Sequence, residues 1–202
     1  MKKIMFNDRF GLTDAVLRRI KTMTRRELKV PIEELNDVNC ALHNGFKEAI
    51  IKKYAPYAVG EVLAVAQSYS VVNEQMMDDF YNSIYDAFKE ADDDDIVLSE
   101  GYNNKMFVSA SLMPHQIKMI DLKLERMQDI DEIQASKEGI QTDTKHFTIY
   151  QGQHGFYDNQ LQRPRNYNTP RLAFAGLIDL IGGKGTWESN PWVFAYEFKL
   201  IR

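Results

Sequence analysis

The sequence is short of cysteine, of long apolar runs and of net charge. Cys40 is the only cysteine, so no internal disulfide forms, and a small buried apolar role is expected for it. A single thiol fits the cytoplasm, where thiols stay reduced. The opening segment carries Lys2 and Lys3 with no apolar run behind them, so no signal peptide is expected. No apolar stretch approaches the roughly 20 residues needed to cross a bilayer, so no membrane partner is expected. The net charge is −4 over 202 residues, which excludes a basic coat for nucleic acid but leaves a local basic patch open.

Several chemistries lack their residues. The histidines at 43, 115, 146 and 154 show no metal-ligand spacing and have no cysteine partners, so neither a metal nor a cofactor is expected. There is no G-x-S-x-G elbow. Gly182-Gly183-Lys184-Gly185-Thr186 resembles a phosphate loop superficially, but Gly follows the lysine and the segment ends a helix. Asp92 to Asp95 is a run of consecutive carboxylates, without the alternating ligands and glycine turn of a calcium loop. It reads as solvated.

What is present is an ordinary globular composition, 44% hydrophobic and 27% charged. A chain of this length buries about 70% of its unfolded surface. Leu12, Ala15, Val16 and Ile20 mark one face of a helix over 12–20. Pro31 and Pro56 bracket a segment with a helix around 45–53. Residues 59–72 read as a strand after a Gly60 turn, with Val62 to Ala66 apolar on both faces. Met77, Phe80, Tyr81, Ile84 and Phe88 predict a helix over 74–90.

Strands are expected at 105–109 and 115–127. In the second, Ile117 and Met119 share one parity and Ile120, Leu122 and Leu124 the other, which predicts a bulge or sheet corner. Asp131 caps a helix over 131–138 with Gln134 three places on, and Gly139 ends it. A strand is expected at 146–150, and a long Gly, Asn and Pro-rich loop over 151–168. Thr169-Pro170 starts a helix that Gly182-Gly183 closes. Alternation over Val193 to Leu200 predicts a half-buried closing strand.

One segment concentrates chemistry. Lys21-Thr22-Met23-Thr24-Arg25-Arg26 places an ammonium, two hydroxyls and two guanidiniums at a helix exit, able to aim a point charge and a planar donor fork into one cleft. The plainer reading is a basic helix end with solvated charges.

Lys21 to Arg25 after a short helix resembles the signature turn of the ASCH domain family. Val59-Gly60-Glu61-Val62-Leu63, the strand Ile117 to Ile130, the helix ending Glu138-Gly139-Ile140, and Val193 to Leu200 resemble further blocks of that family in order. Together the blocks cover about a third of the chain. Segments around Asn104 to Val108, Met113 to His115 and Gly185 to Pro191 resemble longer ASCH-like proteins of phages and prophages. The resemblance implies an α+β, PUA-like small mixed β-barrel with short helices, forming one domain over 1–202. The helical insertion at 73–103 and the loop at 151–168 have no counterpart in the small members.

The small ASCH enzymes hydrolyse N4-acetylcytidine with a Thr, a Lys and a Glu. By motif position the resemblance gives these roles to Thr24 as nucleophile, Lys21 as base and Glu138 as acid. Lys21 would need burial or Arg25 nearby to lower its pKa. Through Lys21 the chain also resembles relatives known only by an assignment to RNA binding.

The leading expectation is therefore binding of a nucleotide, a modified nucleoside or single-stranded RNA. Arg25 and Arg26 would meet phosphate or base edges. Gln67 and Lys105 would add polar contacts, and Tyr69 and Trp187 would stack on a base, as would Tyr102 and Trp192. Arg163, Arg165, Tyr157 and Tyr167 would contribute flexible contacts. The alternatives are an amidohydrolase of the N4-acetylcytidine type, and a phage accessory protein binding a host protein through the 74–90 helix. Oligomeric state is not readable from the sequence.

Overall fold

The computed structural model describes residues 1–43, 45–75, 101–142 and 154–201. In chain order the elements are β1 (Lys2–Ile4), α1 (Leu12–Leu17), β2 (Met23–Glu27), α2 (Leu35–His43), α3 (Lys47–Tyr54), β3 (Val62–Val65), α4 (Tyr69–Gln75) and β4 (Gln116–Arg126). They continue with α5 (Glu132–Lys137), β5 (Gln141–Thr142), β6 (His154–Asp158), β7 (Arg163–Tyr167), α6 (Pro170–Gly182), α7 (Thr186–Ser189) and β8 (Trp192–Leu200). The architecture is α+β with two sheets, of five and three strands, and neither closes into a barrel among the described residues. No helix among them is long and apolar enough to cross a membrane.

The fold comprises two compact units. One comprises Met1–Phe6, Val62–Ile117 and Leu200–Arg202, the other Asn7–Glu61 and Lys118–Lys199. In the first unit β1 pairs in parallel with β3, Lys2 opposite Leu63 and Ile4 opposite Val65. Leu63 to Ala66 are fully buried, as an apolar run on both faces requires. The strand expected over 59–72 stops at Val65, because Tyr69 and Val72 turn inward at helical spacing. Val72 donates its amide to Ser68 at 3.1 Å, and both side chains join a cluster with Val108 and Met113. The expected strand at 105–109 is a series of turns. Its Met106 and Val108 carbonyls are satisfied by the Lys3 ammonium, at 2.5 and 2.8 Å, rather than by a neighbouring strand.

In the second unit β4, β8 and β2 are successive neighbours, and β2 and β8 run antiparallel with Thr24 opposite Tyr196 and Arg25 opposite Ala195. Helix α1 buries Leu12, Ala15 and Val16, as its pattern predicts, but ends at Leu17, and Ile20 lies half-buried in the turn beyond it. Arg19 then takes a left-handed conformation, φ 60°, that reverses the chain so that the Ile20 and Lys21 amides both reach the Ala15 carbonyl. Helix α2 was not expected, while α3 matches the expected helix around 45–53. Cys40 is exposed on α2 rather than buried. Along β4, Ile117 and Met119 are buried and then Leu124 is, so the face does change along the strand.

Strand β8 is buried on both faces from Val193 to Tyr196, rather than half-buried throughout. Part of the loop expected over 151–168 is a β-hairpin, β6 pairing antiparallel with β7 from His154–Tyr167 to Asp158–Arg163. Its apolar face seats Phe156 edge-on to Phe10 at 5.5 Å and stacked with Tyr167 at 6.1 Å. The helix expected beyond Gln75, Asp92 to Asp95 and the strand at 146–150 lie outside the described residues.

The hairpin is closed by a buried carboxylate. Asp158 accepts from Arg9 Nε and Nη2 at 3.2 Å each, from Arg165 Nη2 at 3.3 Å, and from the Gln160 and Leu161 amides. Burial pushes the Asp158 carboxyl up, but Arg9, the Leu161 amide and Arg165 outweigh it and hold it below the ordinary value. The folded state thus binds this proton more weakly than the unfolded chain. Its contribution is present above the unfolded value of about 4 and is lost as pH falls below it. Urea midpoints measured from pH 6 to pH 2 are expected to fall for the wild type, and to fall less steeply for Asp158→Asn.

Candidate functional site

The site is assembled from a helix exit, two strands and a helix end of the second unit. The turn at Arg19 delivers Lys21 to a single β-bridge with Glu138, reinforced by the Thr22 amide donating to the Lys137 carbonyl at 2.8 Å. On the other side, α5 is fixed by its cap. Asp131 accepts the Gln134 amide at 2.7 Å, and Gln134 Oε1 accepts the Asp131 amide in return. Glu138 closes the helix and Gly139 follows at φ +96°. A Cβ there would lie 3.3 Å from Leu12 and 3.4 Å from the Lys21 Cβ, so glycine answers both the backbone conformation and the close approach.

The four charged side chains so gathered form one network. Lys21 Nζ donates to Glu138 Oε2 at 2.6 Å and to the Glu138 carbonyl at 2.8 Å. Arg25 Nη1 donates to Glu138 Oε1 at 2.8 Å. Arg25 Nε and Nη2 both donate to Glu125 Oε1, at 3.2 and 2.6 Å, and Nη2 also reaches Gln134 Oε1 at 2.9 Å. Ala195 stands opposite Arg25 on β8, the strand between β2 and the β4 that carries Glu125.

Beneath lies an aromatic floor. The guanidinium carbon is 5.7 Å from the Phe174 ring centre, and Phe174 meets Trp187 edge-on at 6.2 Å. The side chains of Lys21, Arg25 and Glu138 are 3%, 0% and 4% exposed, whereas Glu125 retains 15%. Lys21 and Arg25 are thus interior charges, not the solvated basic helix end of the plainer reading. Burial pushes the Lys21 ammonium below its ordinary value, against the opposing pull of Glu138, and Arg26 and Arg25 lower it further.

The remaining expected residues separate. Thr24 is buried, and strand alternation turns it to the opposite face of β2 from Arg25, where it lies opposite Tyr196. Arg26 shares that face, opposite Phe194. Burial raises the Tyr196 phenol to about 12, and its hydroxyl meets the Tyr57 backbone. Arg25 has its donors committed inside the protein and does not project toward a phosphate. Trp187 is half-buried beside Phe174, with the Arg171 guanidinium 5.1 Å from its ring centre. Trp192 is flanked by Arg126 at 4.5 Å and Lys47 at 5.2 Å.

Gln67, Tyr69, Tyr102 and Lys105 belong to the first unit. There the Tyr69 hydroxyl accepts the Ser109 amide at 2.7 Å, its ring packs in the core cluster with Tyr102 against it, and Lys105 donates to the Phe6 carbonyl. Gln67 is buried and its backbone N–H donates to Met113 Sδ at 3.3 Å. Arg165 braces Asp158, and Tyr167 packs in the hairpin core rather than on a flexible loop. The sequence reading missed Glu125, which sits among alternating charges that look solvated, and saw Gln134 only as a cap. No protein-family model, curated protein or solved structure matches the chain.

Proposed function

We propose that the chain is a nucleoside-binding domain of the ASCH, PUA-like kind, and that the Lys21–Glu138–Arg25–Glu125 network receives the uncharged base of a modified nucleoside. The observation carrying this is the meeting of Lys21 and Glu138 across 117 positions of sequence, in a network whose two cations and two anions balance. A balanced cluster exerts little attraction on phosphate, and Arg25 is already spent on carboxylates, so a neutral ligand with hydrogen-bonding edges suits it better than an RNA backbone. Calorimetric titration with cytidine, N4-acetylcytidine and a single-stranded RNA tests the reading. Nucleoside binding that is nearly flat in salt is expected. RNA binding that falls steeply with salt, with no nucleoside binding, contradicts it.

The hydrolytic reading rests on a specific observation, the desolvated Lys21 in contact with a carboxylate. In that reading the Lys21 ammonium first passes a proton to Glu138 across their 2.6 Å hydrogen bond, and the neutral amine then takes the Thr24 hydroxyl proton as Oγ1 attacks the acyl carbon. Protonated Glu138 gives its proton to the departing N4 amine as the C–N bond breaks, and water then releases acetate. Thr24 lies on the far face of β2 from Arg25, so this reading stands on Lys21 and Glu138 more than on an assembled triad. Incubation with N4-acetylcytidine, monitored for cytidine, is expected to give turnover that Thr24→Ala and Glu138→Gln each abolish. Undiminished turnover in either variant, or none in the wild type, removes the hydrolase.

A further inference from the structure

Glu125 differs from the other charged members of the network in two respects. Its side chain is the most exposed of the four. Both Arg25 bonds also fall on the same oxygen, Oε1, so Oε2 carries no protein hydrogen bond among the described residues. The carboxylate is therefore held through one oxygen by a fully buried guanidinium, which leaves the other oxygen for an outside partner. Lys21, Arg25 and Glu138 are directed at protein partners and are 3%, 0% and 4% exposed, so a ligand approaching the network meets Glu125 before its other charges.

An ionised carboxylate accepts and never donates. Its partner must therefore bring an N–H or O–H, and a carbonyl oxygen in the same place would face a bare anion. We propose that Glu125 is the specificity-determining residue of the site, selecting planar heterocycles that carry an exocyclic amino group over their keto counterparts. The inference rests on the nucleoside reading and narrows it. Oε2 accepts the amino N–H, while Arg25 fixes the carboxylate plane. Gln134 holds the same guanidinium and so acts as a positioning residue, through Arg25 rather than on the ligand. Discrimination of this kind between bases amounts to roughly tenfold to a hundredfold in affinity.

The test compares matched pairs. Adenosine and inosine differ by an amino group against a keto group, as do cytidine and uridine, and N6,N6-dimethyladenosine removes both amino hydrogens. Calorimetry on the wild type is expected to rank adenosine or cytidine above its keto partner by at least about tenfold. The dimethylated base should fall to the keto level. Glu125→Gln keeps an acceptor for Arg25 but offers the ligand an amide that both donates and accepts, so the preference should narrow. Glu125→Ala should erase it.

Equal wild-type binding of amino and keto partners overturns the role of Glu125 while leaving nucleoside binding standing. A preference that persists unchanged in Glu125→Gln overturns it too. Binding of no nucleoside at all overturns the broader reading and this one together. The wild-type comparison of ligands keeps the proposal open to refutation even if the variants fail to fold, which circular dichroism reports.

Discussion

Replacing Glu138 with alanine is expected to destabilise the protein by about 3–5 kcal/mol, because it strands two charges inside the fold. Lys21 and Arg25 each direct a donor at this carboxylate, at 2.6 and 2.8 Å, and neither side chain is more than 3% exposed. Water cannot replace the lost partner without opening the second unit. The effect should therefore far exceed that of a surface pair such as Arg18–Asp14, for which removal changes stability by about 0–1 kcal/mol. Urea denaturation of Glu138→Ala gives the number. Adding Lys21→Met to that variant removes one stranded charge and should recover part of the loss. A loss under about 1 kcal/mol would show that the network is wetter than its burial indicates.

Phe174→Ala should cost a similar amount, about 3–5 kcal/mol, through a different mechanism. The ring is 1% exposed on α6, where it fills the core, lies beneath the Arg25 guanidinium and supports the edge of Trp187. Truncation leaves a cavity and takes the floor from the ionic network at once. Phe174→Leu keeps most of the volume and should cost less than about 1.5 kcal/mol. Thermal midpoints of the two variants separate the contributions. Equal losses would mean that the aromatic ring matters more than the space it fills.

The parts of the fold legible in the sequence are those fixed by local chemistry. The cap of Asp131 with Gln134, the Thr169-Pro170 helix start, the turn at Gly60 and the face change along β4 each depend on neighbouring residues, and each occurs. The misreadings have tertiary causes. Tyr69 and Val72 continue an apolar run that suits a strand equally well, and only the cluster with Val108 and Met113 selects the helix. The β6–β7 hairpin is composed of loop-rich residues, yet Asp158 gathers Arg9 from about 150 positions away to close it.

The site divides in the same way. Residue types and spacing around Lys21 pointed to a concentration of charge. Nothing in Lys123-Leu124-Glu125-Arg126 distinguishes the glutamate that receives Arg25 from its solvated neighbours. The sequence reads Lys21 to Arg26 as a turn at a helix exit, and it is the strand β2 found there that separates Thr24 from Arg25 by alternation.

The site stands or falls with Lys21 as a desolvated ammonium paired with Glu138. An NMR titration of the Lys21 side chain, isotopically labelled at Cε and Nζ, reads this directly. The ammonium is expected to lose its proton below the ordinary lysine value of about 10.4, and to do so at still lower pH in Glu138→Gln, where the opposing pull of the carboxylate is gone. A Lys21 that titrates with the surface lysines, and is indifferent to that substitution, would contradict the buried pair and the site built on it.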